Sequence, residues 1–275
     1  VNLWLAGLIV AVAVSATVTV MFLVRRRSPA GGYFADSDRA SGVFGVVGTS
    51  FAVVLAFVIF LGFESYGNAR NEAGREAVST TELFDTAALF AGQAQNDLRG
   101  ELICYARSVI HYEWPAMRDQ RQSAVTQAWV VGLNTRFAQL DISGDKQPVA
   151  YDHWLTIDAA RQEARRGRLA EASPVIPSPL WVILAIGAVL TIAYVWLYAD
   201  PSERFLAQAA MVGSVTAVVT ASLLVVNFLD KPYANGSGSI YPVEMTRSLR
   251  IMEAHENVPE PLRPPCDQLG RATSA

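Results

Sequence analysis

The sequence predicts an all-α membrane protein, with four transmembrane helices in two pairs and a helical soluble domain between the second and third spans. Two observations predict it. Residues 3–24, 43–63, 180–198 and 205–229 are uncharged apolar runs, each about 20 residues long, the length of helix that crosses a hydrocarbon core. Inside lipid every backbone polar group needs an internal partner, so these runs must be helices. Between the pairs, small and apolar residues recur at helical spacing over a polar block, residues 64–179.

The first run has no basic segment before it, is too long for the apolar core of a signal peptide, and ends in Arg25, Arg26 and Arg27. It is therefore expected to be a retained span. The three arginines read first as a topological anchor reaching for headgroups, and second as a charge that draws anions toward a pore mouth. A linker, residues 25–42, leads to the second run, and a shorter one, residues 199–204, joins the second pair.

In the second run Gly45, Gly48 or Thr49, Ala52 and Ala56 form a small-residue stripe, which lets membrane helices approach closely. Another face carries Val53, Phe57, Phe60 and Glu64 at i, i+4, i+7 and i+11. An apolar ring ending in a carboxylate fits a hydrophobic constriction with a charged mouth, if several copies meet at an axis. The plainer alternative is that the two phenylalanines face lipid or another span.

No proline interrupts residues 43–111, so the second span is expected to continue unbroken into a stalk reaching Leu89. Its stripe Ala69, Ala73, Ala77 and Thr80 should lie at a helix contact, with Arg70, Glu72, Arg75, Glu76 and Glu82 elsewhere. A second helix is expected over 96–113, with Leu98, Leu102, Tyr105, Val109 and Tyr112 on its apolar face and Pro115 breaking or kinking it. A third is expected over 124–140, with Val130, Leu133 and Phe137 inward. After a loop containing Gly144 and Pro148, a fourth is expected over 151–169. It ends in Arg165, Arg166 and Arg168, which suit the negative end of the helix dipole. The tail, residues 230–275, should hold one short helix over 242–255 and be disordered beyond Val258. The domains are thus 1–63, 64–179, 180–229 and 230–275.

Composition and motifs exclude more than they assign. A net charge of -3 gives no footprint for nucleic acid. His111, His153 and His255 have no ligand spacing, so no metal or cofactor is expected and no catalytic residue is assigned. Cys104 and Cys266 are too far apart in sequence to read as a disulfide framework, and Cys104 is expected to be a small buried hydrophobe. Glu113-Trp114-Pro115 and Asp230-Lys231-Pro232 both sit where a helix meets a proline. Glu113, Trp114, Pro115, Asp230 and Pro232 are expected to be structural. Glu113 should accept hydrogen bonds from an arginine, with Arg75, Arg107 and Arg166 as candidates, and Trp114 should pack near the membrane surface.

Several of these residues also carry a resemblance. In collinear order they are Arg25-Arg26, Leu55-Ala56-Phe57, Phe63-Glu64-Ser65-Tyr66, Glu76-Ala77, Leu98-Arg99, Glu113-Trp114-Pro115, Arg165-Arg166-Gly167-Arg168-Leu169, Pro179-Leu180-Trp181 and Leu229-Asp230-Lys231-Pro232-Tyr233. The chain resembles the bacterial bestrophin-like domain family over residues 20–250. It departs at Lys231 and Tyr233, where Arg and Phe are the family habit, and has Asp36-Ser37-Asp38 where an Asn-Asp pair is expected. True bestrophins are oligomeric anion channels with four spans and a helical soluble body. The resemblance implies a homo-oligomer, a tetramer or pentamer, in the bacterial plasma membrane, with the second span lining a pore for small anions. The competing reading is a non-transporting membrane scaffold or stress sensor whose helical domain binds a partner; a membrane enzyme ranks behind both. Orientation stays open at this level. Arg25, Arg26 and Arg27 place the first linker in the cytoplasm, whereas Arg161, Arg165, Arg166, Arg168 and Lys231, with the bestrophin analogy, argue the reverse.

Overall fold

The computed structural model describes residues 2–29, 31–90, 92–140, 147–254 and 264–273. Their order is α1 (Leu3–Arg27), α2 (Ser37–Thr86), α3 (Gln93–Ser108), α4 (Trp114–Arg118), α5 (Ala124–Ala138), α6 (Gln147–Ala170), α7 (Ser178–Leu197), α8 (Phe205–Leu229) and α9 (Val243–Ala254). Among the described residues, four helices are long and apolar enough to cross a membrane: Leu3–Arg27, Ser37–Leu89, Ser178–Leu197 and Phe205–Leu229. The protein is therefore an integral, all-helical membrane protein.

The chain divides into two units. The first holds Val1–Ser65, Pro174–Asp230 and Asn235–Gly238, and so contains the four spanning segments. Leu55, Val58, Ile176, Leu184 and Val226 form one buried cluster, and Met21, Ala199 and Val212 another. Two glycines set the close approaches. A Cβ on Gly187 of α7 would come 2.3 Å from the Phe51 ring, and one on Gly62 would come 3.0 Å from Leu229 Cβ. Within the chain these two positions hold the close helix contacts, while the stripe of Gly45, Gly48, Ala52 and Ala56 lies uncovered. Gly45 and Gly48 have nothing within 4 Å of a built Cβ, and Ala52 and Ala56 are exposed. A small side chain permits approach but does not attract a partner, so the stripe alone could not locate the contact.

The second unit holds Tyr66–Ser173, Lys231–Ala234 and Ser239–Ala275. Its core joins Ala69, Ala73, Ala77, Leu83, Phe84, Leu98, Leu102, Tyr105, Trp114, Val130, Phe137, Trp154, Met245 and Met252. Ala69, Ala73, Ala77 and Thr80 are all buried. Tyr233 donates to the Ala69 carbonyl at 3.1 Å and Ser248 to the Ala77 carbonyl at 2.9 Å. The stripe thus serves a contact within the subunit, covered by the tail and α9. α2 continues past Thr86 as a 3-10 turn over Ala87–Leu89.

Three expectations are corrected here. Of the break or kink expected at Pro115, the break does not occur: a π turn over Val109–Glu113 carries α3 directly into α4. The wider turn absorbs the hydrogen bond that proline cannot donate. The tail is not disordered over 264–273, and Cys104 is not a lone buried thiol but is disulfide-bonded to Cys266. The expected loop residue Gly144 and the histidine His255 lie outside the described residues.

Candidate functional site

Two arrangements stand out, one in each unit. In the first, Val53, Phe57 and Phe60 of α2 are 64%, 61% and 62% exposed, while Leu55 and Val58 of the same helix are 8% and 1% exposed. Glu64 is exposed on the same side. The helix therefore buries one face on its own unit and leaves the other, aromatic and apolar, uncovered by its own chain.

The anchor arginines divide in role. Arg25 donates to Gln208 Oε1 at 3.2 Å and to the Pro201 carbonyl at 3.1 Å, and also to the Glu203 carbonyl. It thereby ties the end of α1 to the turn before α8. The Arg26 guanidinium lies 4.2 Å from the Phe22 ring centroid, a cation–π distance, and Arg27 is exposed. Asp230 ends α8 and is buried. Its carboxylate accepts from the Ile176 backbone N–H at 2.9 Å and from Trp181 Nε1 at 3.4 Å, which fixes the entry to α7.

In the second unit a buried ion network lies among α2, α3, α6 and the π turn. Arg168 donates through Nε and Nη2 to Glu76 and through Nη2 to Glu113 Oε2 at 2.6 Å. Arg165 donates through Nε to Glu113 Oε2 at 3.2 Å and through Nη2 to Glu113 Oε1. Tyr105 donates to Glu76 Oε1 at 2.6 Å. Arg161 sits 4.7 Å from the Tyr105 ring centroid and pairs with Asp158 at 2.6 Å. Two carboxylates face two guanidiniums, and Asp158 balances Arg161. That neutrality lets charges stay so deep, because an unpaired buried ion costs several kcal/mol.

The electrostatics follow the pairing. Burial pushes the Glu113 carboxyl up, but the Arg168 and Arg165 guanidiniums outweigh it and hold it below the usual carboxylate range. Burial lowers Arg168, and Glu76 and Glu113 reverse that, holding it well above its ordinary value. Burial, then the Glu76 charge, pushes the Tyr105 hydroxyl up, so it is a donor at any physiological pH.

Glu113 is thus held by arginines, as expected, but by Arg165 and Arg168 and not by Arg75, Arg107 or Arg166. Arg75 pairs with Glu72 and Arg107 with Glu253, and Arg166 is exposed. Trp114 is 2% exposed and donates through Nε1 to the Ile240 carbonyl at 3.0 Å. It also meets Tyr233 edge-on, with centroids 5.6 Å apart. Pro232, also buried, accepts the Ile240 N–H through its carbonyl at 2.9 Å. The sequence placed Glu76 with the outer charges and read the arginines as dipole partners. The missed signal was spacing: Arg161, Arg165 and Arg168 lie at i, i+4 and i+7, one helix face, which is an inward stripe of cations that demands carboxylates.

These features define a four-span membrane protein with an ion-paired helical extramembrane unit. A family model described as the Bestrophin-like domain matches residues 11–244. The chain belongs to that bestrophin-like family. Solved structures share its fold. One variant of a bacterial bestrophin homologue from Klebsiella pneumoniae matches with a TM-score of 0.72 and 10% identity, over 90% of this chain and 99% of that one. A second variant matches with 0.70 and 12%, over 89% and 96%. A structure described only as a membrane protein variant matches with 0.70 and 11%, over 89% and 97%. No curated protein matches the chain.

Proposed function

We propose that this protein is a homo-oligomeric ion channel of the bacterial plasma membrane, with α2 lining the pore and small anions as the permeating species. The observation that carries the reading is the uncovered face of α2. Val53, Phe57 and Phe60 are each more than half exposed in the single chain. Bulky side chains on a membrane helix that the chain leaves bare are what copies arranged about an axis would turn inward. Such a ring gates by dewetting and needs no charge of its own. Membership of the bestrophin-like family supports channel chemistry over catalysis, and the fold supports the same body plan. Four or five copies suit the resemblance. Glu64 stands at the wide mouth, where a ring of carboxylates would tune the ion preference. The role of Arg27 is to attract anions toward the opposite mouth.

The test is conductance of purified protein in planar bilayers, in asymmetric chloride. Anion-selective steps that enlarge when Phe57 and Phe60 are both replaced by Ala support the reading. Folded, oligomeric protein that passes no ion sinks it in favour of a scaffold.

A further inference from the structure

We propose that the helical block and the C-terminal tail lie on the non-cytoplasmic side of the membrane, where the Cys104–Cys266 disulfide closes and clamps the tail onto α3. The inference does not rest on the channel reading, and it parts with the bestrophin analogy.

The first observation is the bond itself. Cys104 lies in the middle of α3 at 0% exposure and Cys266 in the tail at 8%, with their Cα atoms 5.8 Å apart. The pair is built into its surroundings. Cys266 and Ala272 form an antiparallel bridge, and Asp267 Oδ1 accepts the N–H groups of Leu269 and Arg271 at 2.9 and 2.8 Å. Gly270 has φ +90°, and a Cβ there would lie 2.5 Å from the Ser108 nitrogen. Trp129 Nε1 donates to the Gly270 carbonyl at 2.7 Å, and Arg107 Nη1 to the Asp267 carbonyl at 3.3 Å. This small loop presents one cysteine to the other in a fixed geometry. Structural disulfides form and persist in oxidising compartments and are rare where thiols are kept reduced.

The second observation is the span count. Four spans in two pairs put both short linkers on one side, and the block and tail, with both cysteines, on the other. Arg25, Arg26 and Arg27 close α1, Arg39 lies in the first turn of α2 and Arg204 precedes α8. The positive-inside rule counts Lys and Arg in short loops and within about 15–20 residues of the span ends. Arg70, Arg75, Arg165, Arg166, Arg168 and Lys231 flank the spans on the opposite side, so charge chooses neither side and the disulfide carries the assignment.

The chemistry balances with an oxidant that carries a disulfide, as the thiol oxidases of oxidising compartments do. A Cys266 thiolate attacks that disulfide, forming a mixed disulfide and releasing one oxidant thiolate. The Cys104 thiolate then attacks the Cys266 sulfur, the new S–S bond forms, and the second oxidant thiolate leaves. Two electrons pass to the oxidant, which ends as a dithiol after taking up the two protons.

The experiment keeps the native cysteines and uses the full chain in a bacterial host. Acid-quenched, denatured protein is treated with a maleimide-linked polymer, with and without prior reduction. The expected result is no added mass before reduction and two additions after it; two additions without reduction overturn the proposal. Separately, Arg118→Cys and Ser37→Cys, both exposed positions, are probed in intact spheroplasts with a membrane-impermeant maleimide. Labelling of R118C, with S37C labelled only after permeabilisation, is expected. The reverse pattern overturns the proposal even if the disulfide is present.

Discussion

Arg168 and Glu113 meet at 2.6 Å with both side chains at 0% exposure, and the same guanidinium also holds Glu76. One cation thus joins α6 to α2 and to the π turn. Breaking a buried pair from one side leaves the other charge stranded, which costs about 3–5 kcal/mol. Arg168→Met should therefore lower the unfolding temperature in detergent sharply, whatever it does to ion flux. Glu113→Gln should also destabilise. A Glu113→Gln protein of unchanged stability that had lost activity would show a functional and not a structural carboxylate.

The same carboxyl predicts a pH dependence. Its folded value lies below the ordinary carboxylate range, about 4.3 for Glu. A depressed folded value means stability is fully present above the unfolded value and is lost as pH falls through the folded one. Thermal stability should therefore hold down to about pH 5 and drop below about pH 4. Glu113→Gln should be less stable at neutral pH and show a shallower acid fall, read by melting curves across pH.

Ala73 lies in the buried stripe of α2, 8% exposed. Ala73→Leu inserts three carbons into a packed helix contact and should cost about 1–3 kcal/mol by overpacking. Denaturant titration of the purified protein checks this. An Ala73→Leu protein as stable as the parent would mean that the stripe has slack.

Gly270 has a different vulnerability. Gly270→Ala adds a Cβ where the Ser108 backbone stands and forces a left-handed φ on a side chain. The tail loop should lift from α3, and the fraction of chains with Cys104 bonded to Cys266 should fall on non-reducing gels. Loss of the bond in Cys104→Ala with Cys266→Ala should cost about 2–4 kcal/mol. Gly270→Ala should approach that value without touching either sulfur.

On the channel reading, Glu64→Gln should move ion preference further toward anions. Removing a ring of carboxylates removes a barrier to negative ions at the mouth. Reversal potentials in a salt gradient measure it, and a shift toward cations would refute the placement of Glu64 at the mouth.

The sequence by itself determined the four spans and the helical character of the block. A span is decided by the summed transfer free energy of contiguous residues, and a helix by periodicity within a few turns. The run ending at Leu229 and the helix entered at Ala124 are legible in this way. Membership of the family was legible too, from short collinear elements such as Glu113-Trp114-Pro115. What only the tertiary structure decided is which charges are inside and what they touch. Glu76 and Arg168 are 92 residues apart and Cys104 and Cys266 are 162 apart, so no local pattern pairs them. Glu76 and Glu72 look alike in sequence, yet one is sealed under Tyr105 and the other pairs at the surface with Arg75. Burial is a property of the packed neighbours, and a polar residue reveals it only once the partner that neutralises it is in place.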